Sequence, residues 1–376
     1  MRRLLCTAAV ALAVPAALAA AAGAAPPKPD ARAWYVVNGT TGEVLAHHDQ
    51  RQRVPIASIT KLMTVIVALQ HLRPDEMVTV TREAARVGGS RIPLGAGQRV
   101  TVHDLLAGAL IQSANDAADA LAAAAAGGDE ERFIGWMNAE AATLGLRDTH
   151  FARADGLDAP GHLSSARDVF VLARRAMRIP IVRQLVRRES ATIENGTVEV
   201  HTWNDLLGVF PRLIGVKTGH TDDAGWCEVA AARRDGYTIY AVILGSPTRA
   251  VRNSGLRTLL AWGVSRYRRV TLVRRAAYGS AALPYGRKAV PLVTSRPFAE
   301  VVRADRPVVR KVVAAASASL PVHAGETLGR VEVWQAGTLL GTRRLVAARN
   351  VARPGAGGRI RWILTRTVHD LGGLLP

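Results

Sequence analysis

Ser58 and Lys61 stand three residues apart in the run Pro55-Ile56-Ala57-Ser58-Ile59-Thr60-Lys61, which opens an apolar period through Leu62, Val65, Ile66 and Leu69 that predicts a helix. Side chains at i and i+3 share a helix face, so a hydroxyl and an amine can meet there, at an end whose free N–H groups favour negative charge. That pairing suits nucleophilic catalysis, with the amine removing the proton from the attacking oxygen. A serine cap followed one turn later by a solvated lysine would look the same on its own. Lysine usage sharpens the choice, because the chain holds only Lys28, Lys61, Lys217, Lys288 and Lys311 among 49 basic residues. Arginine cannot lose its proton at useful pH, whereas a buried lysine beside another cation can, so a position that keeps lysine is informative.

Two further clusters carry compatible chemistry. Ser113-Ala114-Asn115 follows an apolar helix that ends near Ile111, offering a second hydroxyl for proton transfer and an amide able to bind a peptide carbonyl. Lys217-Thr218-Gly219 ends the apolar strand Leu213-Ile214-Gly215-Val216, where a glycine lets a ligand backbone come close to the sheet edge. Either cluster alone reads as a helix end or a turn. The three occur once each, in this order, each on the type of element the chemistry wants.

The elements that must position these groups can be read around them. Ala33 to Val37 and Glu43 to His48 flank a turn at residues 38–42 and predict a hairpin. Helices dominate the middle: one from Ser58, one from about Val102 through Leu105, Leu106 and Leu110, and one opened by Ser165-Ala166-Arg167-Asp168, which has capping-box spacing. Strands follow over Thr192 to His201, Arg212 to Thr218, Cys227 to Ala232 and Tyr237 to Gly245, then a helix from about Arg252 to Arg266. The fold class this predicts is α+β, an antiparallel sheet fed by both ends of the segment 31–266 with a helical cluster between them. Short β-rich pieces such as Ala289 to Val293, Val308 to Ala314 and Leu328 to Trp334 predict a small all-β domain over 267–354.

The order Ser-x-x-Lys, Ser-x-Asn, Lys-Thr-Gly resembles the penicillin-binding and serine β-lactamase superfamily, whose transpeptidase fold matches the α+β expectation. The text of residues 55–64, 113–118 and 215–221, with Asp155-Gly156-Leu157, is similar to the low-molecular-mass D-alanyl-D-alanine carboxypeptidases. The likeness runs from about Ala33 to Tyr267 and more faintly into residues 325–351. It implies that Ser58 attacks the carbonyl between two D-alanines while neutral Lys61 accepts its proton. Lys217 would depress the Lys61 pKa by like-charge repulsion, Ser113 would relay a proton to the departing D-alanine, and Asn115 would hold the substrate amide. The N–H groups of Ser58 and His220 would form an oxyanion hole, and the strand at Lys217 to Gly219 would pair with the peptide. The terminal carboxylate would meet Lys217 and Thr218, with Arg252 as a third partner and Arg249 as its rival. The implied partners are peptidoglycan stem peptides ending in D-Ala-D-Ala and β-lactams as covalent inhibitors, with no metal and no cofactor.

Other classes fit less well. A class A β-lactamase would want Ser-Asp-Asn and a Glu-x-x-x-Asn segment between Asn115 and Lys217, and neither is present. No His-Glu-x-x-His pair supports a zinc peptidase, and no Gly-x-Ser-x-Gly elbow supports an α/β-hydrolase. A non-catalytic envelope scaffold on the same fold would tolerate loss of Ser58 or Lys61, which an enzyme would not.

The ends speak to location. Arg2-Arg3, an apolar stretch to about Ala21, and Ala22-Gly23-Ala24 before Pro26-Pro27 have the pattern of a secretory signal peptide over residues 1–24. Export places the protein in the cell envelope, in the periplasm or on the outer face of the cytoplasmic membrane. Of two cysteines, Cys6 falls in the leader, so Cys227 is left as a lone thiol and reads as a packed small hydrophobe. From Arg266 onward, 20 Arg and Lys face 5 Asp and Glu, so most of the formal charge of +19 sits there. In an exported chain that balance points to anionic phospholipid or acidic wall polymers rather than nucleic acid. The tail, residues 355–376, plots as a short helix from Arg359 to Leu371. Ile360, Ile363, Leu364, Val368 and Leu371 lie on one arc and Trp362 falls among the arginines, which reads either as an interfacial anchor or as packing against the β domain.

Overall fold

The apolar segment Ala33–Asn38 forms β1 and pairs antiparallel with β2, Val44–His48, with Trp34 opposite His48. This is a computed structural model, and it describes residues 12–13, 25–193 and 196–372. Apart from Leu12–Ala13, the expected leader over residues 1–24, Cys6 included, lies outside the described residues. The chain divides into two units, one of residues 25–265 and one made of residues 1–24 and 266–376.

In the first unit a five-stranded antiparallel sheet has the order β2-β1-β7-β6-β5. Here β5 is Leu213–Thr221, β6 is Gly225–Arg234 and β7 is Tyr237–Ser246, so strands from both ends of the segment meet at β1 and β7. Every residue of β1 is buried, because both faces of the sheet are covered. Tyr35 and Val37 join a core with the helices that lie between β2 and β5 in sequence. The other face carries the last helix, Arg249–Ser265. It lies close enough that a Cβ at Gly263 would come within 2.8 Å of Ile239, so glycine there sets the approach.

The intervening helices include α1, Lys61–His71; α2, Val102–Ala107; α3, Asn115–Ala126; α4, Glu130–Thr143; α5, Ala166–Ala176; and α6, Pro180–Leu185. The helix Arg249–Ser265 is therefore α7. Eight of the eleven α1 residues are buried, and α1 packs its apolar face into the common core. Ser165 caps α5 by accepting from the Asp168 N–H. The Asp168 carboxylate instead accepts from the Asp148 N–H and Thr149 Oγ1, tying α5 to the preceding loop. The segment expected as one strand over Thr192 to His201 is a hairpin of β3, Ser190–Ile193, and β4, Val198–His201, with Ser190 opposite His201.

In the second unit β8, Tyr267–Val273, pairs with β11, Phe298–Arg303. A larger sheet joins β9, Ala277–Ala281; β10, Val290–Thr294; β12, Val308–Ala314; β13, Thr327–Gln335; and β14, Thr338–Ala347, in the order β12-β13-β14-β10-β9, with Leu12–Ala13 beside β12. Alternate residues Val331 and Val333 of β13 and Leu345 and Ala347 of β14 fill its core. The tail helix α8, Ala356–Gly372, sets the Trp362 ring 5.5 Å from the Tyr285 ring, while Ile360, Ile363 and Leu364 are exposed. Trp362 thus leaves the apolar arc because it packs on the β domain. No helix of the described residues is long and apolar enough to cross a membrane.

Candidate active site

Ser58 sits on a 3-10 turn, Ala57–Thr60, that leads directly into α1. Ala57 has φ +50°, a left-handed conformation that costs a non-glycine residue about 1 kcal/mol. The kink is held from two sides. A Cβ on Gly219 would fall 2.9 Å from the Ile56 carbonyl oxygen and 3.0 Å from the Ser58 nitrogen, and one on Gly156 would fall only 2.3 Å from the Ala57 carbonyl oxygen. Gly219 therefore admits the turn that carries Ser58 against the sheet edge, a role the ligand-approach reading did not anticipate.

Lys61 is fully buried, and its Nζ has three partners: Ser58 Oγ at 2.7 Å, Asn115 Oδ1 at 2.7 Å and the Asp155 carbonyl oxygen. The Asn115 amide is oriented by its other end, since Nδ2 donates to the Gly88 carbonyl at 2.7 Å. Two of the three partners can only accept. A neutral amine must spend both of its hydrogens on them, which leaves its lone pair facing the Ser58 hydroxyl. Burial lowers the Lys61 pKa to about 8, helped by Arg153 and opposed by Asp155, Asp119 and Asp116. Desolvation is thus the main cause, where repulsion by Lys217 was expected. The like-charge effect falls on Lys217, whose pKa is pushed well below the usual lysine value first by burial and then by Lys61.

Ser113 follows a single π turn, Gly108–Gln112, and adopts φ +63° before α3 begins. Such turns insert an extra residue and often mark functional positions. This one aims Ser113 Oγ at Lys217 Nζ, 2.7 Å away across the cleft from β5, and Lys217 also donates to the Thr218 carbonyl. Two hydroxyl–amine pairs, Ser58 with Lys61 and Ser113 with Lys217, are thereby brought together. They border a cleft of about 260 Å³ lined by Ser58, Ser113, Asn115, Thr218, Gly219 and His220, with Trp203, Trp226, Arg249 and Arg252 at its other end. The His220 ring is exposed and lies 4.0 Å from the Trp226 ring. Cys227 is buried, its thiol pushed up to about 11, and its sulfur accepts from the Gly245 N–H, so it is a packed group rather than a nucleophile.

The two arginines differ in their surroundings. Arg249 is partly exposed and grips Asp205 through Nε and Nη2. Arg252 is 1% exposed, its Nη2 reaching Asp205 Oδ2 at 3.1 Å and its Nε lying 3.1 Å from Glu228 Oε2. Its Nε and Nη2 also donate to Asn253 Oδ1, at 3.0 and 2.6 Å. Several supporting groups were not foreseen. The Asp155 carboxylate, gripped by Arg153 at 2.9 and 2.6 Å, fixes the loop whose carbonyl receives Lys61. Buried His162, its pKa lowered to about 4 mainly by desolvation, holds Thr60 Oγ1 at 2.7 Å in the turn that carries Ser58. Glu228 had one legible signal, an acidic residue inside the apolar strand Cys227 to Ala232. Among the described residues no group of three or more His, Cys, Asp or Glu could hold a metal ion.

Comparison with known proteins agrees with this geometry. Residues 20–248 match the family model described as D-alanyl-D-alanine carboxypeptidase. The chain is 33% identical over 351 residues to the D-alanyl-D-alanine carboxypeptidase DacD of Salmonella typhimurium, covering 89% of this chain and 90% of the relative. Among solved structures, penicillin binding protein 5 from Haemophilus influenzae superposes with a TM-score of 0.64 at 25% identity, covering 88% of this chain and all of that one. A variant of the Streptomyces K15 DD-transpeptidase superposes with a TM-score of 0.60 at 32% identity, covering 64% of this chain and 99% of its own.

Proposed function

Because this chain belongs to the D-alanyl-D-alanine carboxypeptidase family, we propose that it removes the terminal D-alanine of peptidoglycan pentapeptides through an acyl-enzyme on Ser58. The observation that carries the reading is Lys61, fully buried, 2.7 Å from Ser58 Oγ and bound by two obligate acceptors. Neutral Lys61 takes the Ser58 proton as Oγ bonds to the carbonyl carbon between the D-alanines. The oxyanion forms against the N–H groups of Ser58 and His220. The C–N bond then breaks as the nitrogen gains, through Ser113, the proton that Lys61 had taken, so D-alanine leaves and Lys61 is neutral again. Water, deprotonated by the same base, opens the ester and restores Ser58. Asn115 and the β5 edge hold the peptide, and Thr218 with Arg252, both lining the cleft, holds its terminal carboxylate. A β-lactam mimics the scissile dipeptide and stops at the acyl-enzyme.

The leader makes this an exported envelope enzyme in the proposal. Exposed Ile360, Ile363 and Leu364 on α8, beside Arg359 and Arg361, support attachment of the tail to an anionic membrane surface. Incubating purified protein with a pentapeptide ending in D-Ala-D-Ala and measuring free D-alanine tests the function. Release should rise with pH through about 8, as Lys61 loses its proton, and vanish in Ser58→Ala. No release at any pH, or undiminished release by the variant, contradicts the proposal.

A further inference from the structure

Glu228 is completely buried on β6, directly opposite Thr218 of β5, so its side chain shares a sheet face with the threonine of the cleft. On its other side the cross-strand neighbour in β7 is Ile243, which is apolar. From α7, Arg252 Nε approaches Oε2 to 3.1 Å but gives its hydrogen bond to Asn253 Oδ1, so neither carboxylate oxygen has a hydrogen-bond partner. A buried carboxylate satisfied by one ion contact is poorly compensated. The charged groups that act on it are Arg252 and Arg249 of α7, Lys217 of β5 and Asp205 of the loop before β5. With Asp205 and Glu228 both ionised, their charges cancel those of the two arginines. An arriving carboxylate would then meet an arginine pair whose charge is already cancelled.

Building on the assignment of Arg252 to the substrate carboxylate, we propose that Glu228 is a positioning residue that holds the Arg252 guanidinium as its counter-ion in the free enzyme and takes up a proton when the substrate carboxylate replaces it. One negative charge displaces another at Arg252, and the proton that neutralises Glu228 comes from solvent. Burial raises the Glu228 pKa to about 7, so the exchange falls within the working range. The sign follows: protonated Glu228 leaves Arg252 free for the substrate, so binding tightens as pH falls. Linkage requires the reverse too, with bound carboxylate raising the Glu228 pKa. Lys61 and Lys217 also gain positive charge on acidification, so the difference between proteins with and without Glu228 is the informative quantity.

The experiment uses the full chain carrying Ser58→Ala, which binds without turnover, and a diacetyl-L-lysyl-D-alanyl-D-alanine peptide. Titration calorimetry at pH 7 in two buffers of different ionisation enthalpy counts the protons taken up, and Kd is followed from pH 6 to pH 8. With Glu228 present, proton uptake and a Kd about tenfold tighter at pH 6 than at pH 8 are expected. Adding Glu228→Gln should remove most of the uptake and flatten the Kd profile, and Glu228→Asp should restore the slope. On a Ser58 background, Glu228→Gln should still be acylated by penicillin and should lose the pH dependence of KM while keeping that of kcat. Zero uptake with Glu228 present, or an unchanged slope in Glu228→Gln, overturns the proposal even if the wild type releases D-alanine. A peptide that neither binds nor is turned over overturns the parent reading, and this one with it.

Discussion

The catalytic unit and the β domain handle charge in opposite ways. Between residues 25 and 265 the protein buries Lys61, Asp116, Asp155, Asp168, Lys217, Glu228 and Arg252, whereas Arg266 is the one buried charged residue among those described from 266 onward. Buried ions are costly unless their surroundings are built for them, and in the first unit the surroundings are carbonyl oxygens, amides and opposite charges. In the β domain the other described ionic side chains keep some exposure and Val331, Val333, Leu345 and Ala347 fill the core. The difference separates substitutions that alter chemistry from those that alter stability.

The largest expected effect is at Lys61. Lys61→Arg keeps the charge but cannot release the proton, so kcat/KM for D-alanine release should fall roughly 10³-fold or more, with folding intact by circular dichroism. Near-normal turnover would break the assignment of buried charge to chemistry. In the β domain, Leu345→Ala should cost about 2–5 kcal/mol in denaturant unfolding of that domain and leave kcat/KM on a soluble peptide within about twofold. A large loss of turnover with unchanged stability would reverse the contrast. The smallest effect on chemistry belongs to the tail. A chain ending at Gly355 should turn over peptide as before and no longer sediment with vesicles containing anionic lipid. Sedimentation that persists once the leader has been removed would place the attachment elsewhere.

How legible each part was in the sequence follows from the same physics. Ser58, Lys61, Ser113, Asn115 and Lys217, which the fold brings together, could be picked out because each hydroxyl or amine belongs to a short motif on a recognisable element. The Asp155 carbonyl that fixes Lys61 could not, because any residue carries the same acceptor and only the folded loop selects one. Glu228 needed the register that sets it opposite Thr218 and the turn of α7 that brings Arg252 to it. Gly219 was read as space for a ligand, but its lack of a side chain makes room for the turn of Ala57 and Ser58. The hairpin of Ser190–Ile193 and Val198–His201 read as one strand because β-branched residues lie on both sides of its connection. In the β domain valine-rich composition showed β12 and β13, while β8 and β9, rich in arginine, alanine and glycine, gave little contrast between faces.

The central claim is that Ser58, and not Ser113, forms the covalent bond, although each hydroxyl lies 2.7 Å from a buried lysine amine. Mass spectrometry of the protein after brief exposure to penicillin, followed by peptide mapping, tests this directly. The account predicts one added penicilloyl mass on the peptide that contains Ser58, and none in Ser58→Ala. A label on the peptide containing Ser113, or one retained in Ser58→Ala, would contradict it.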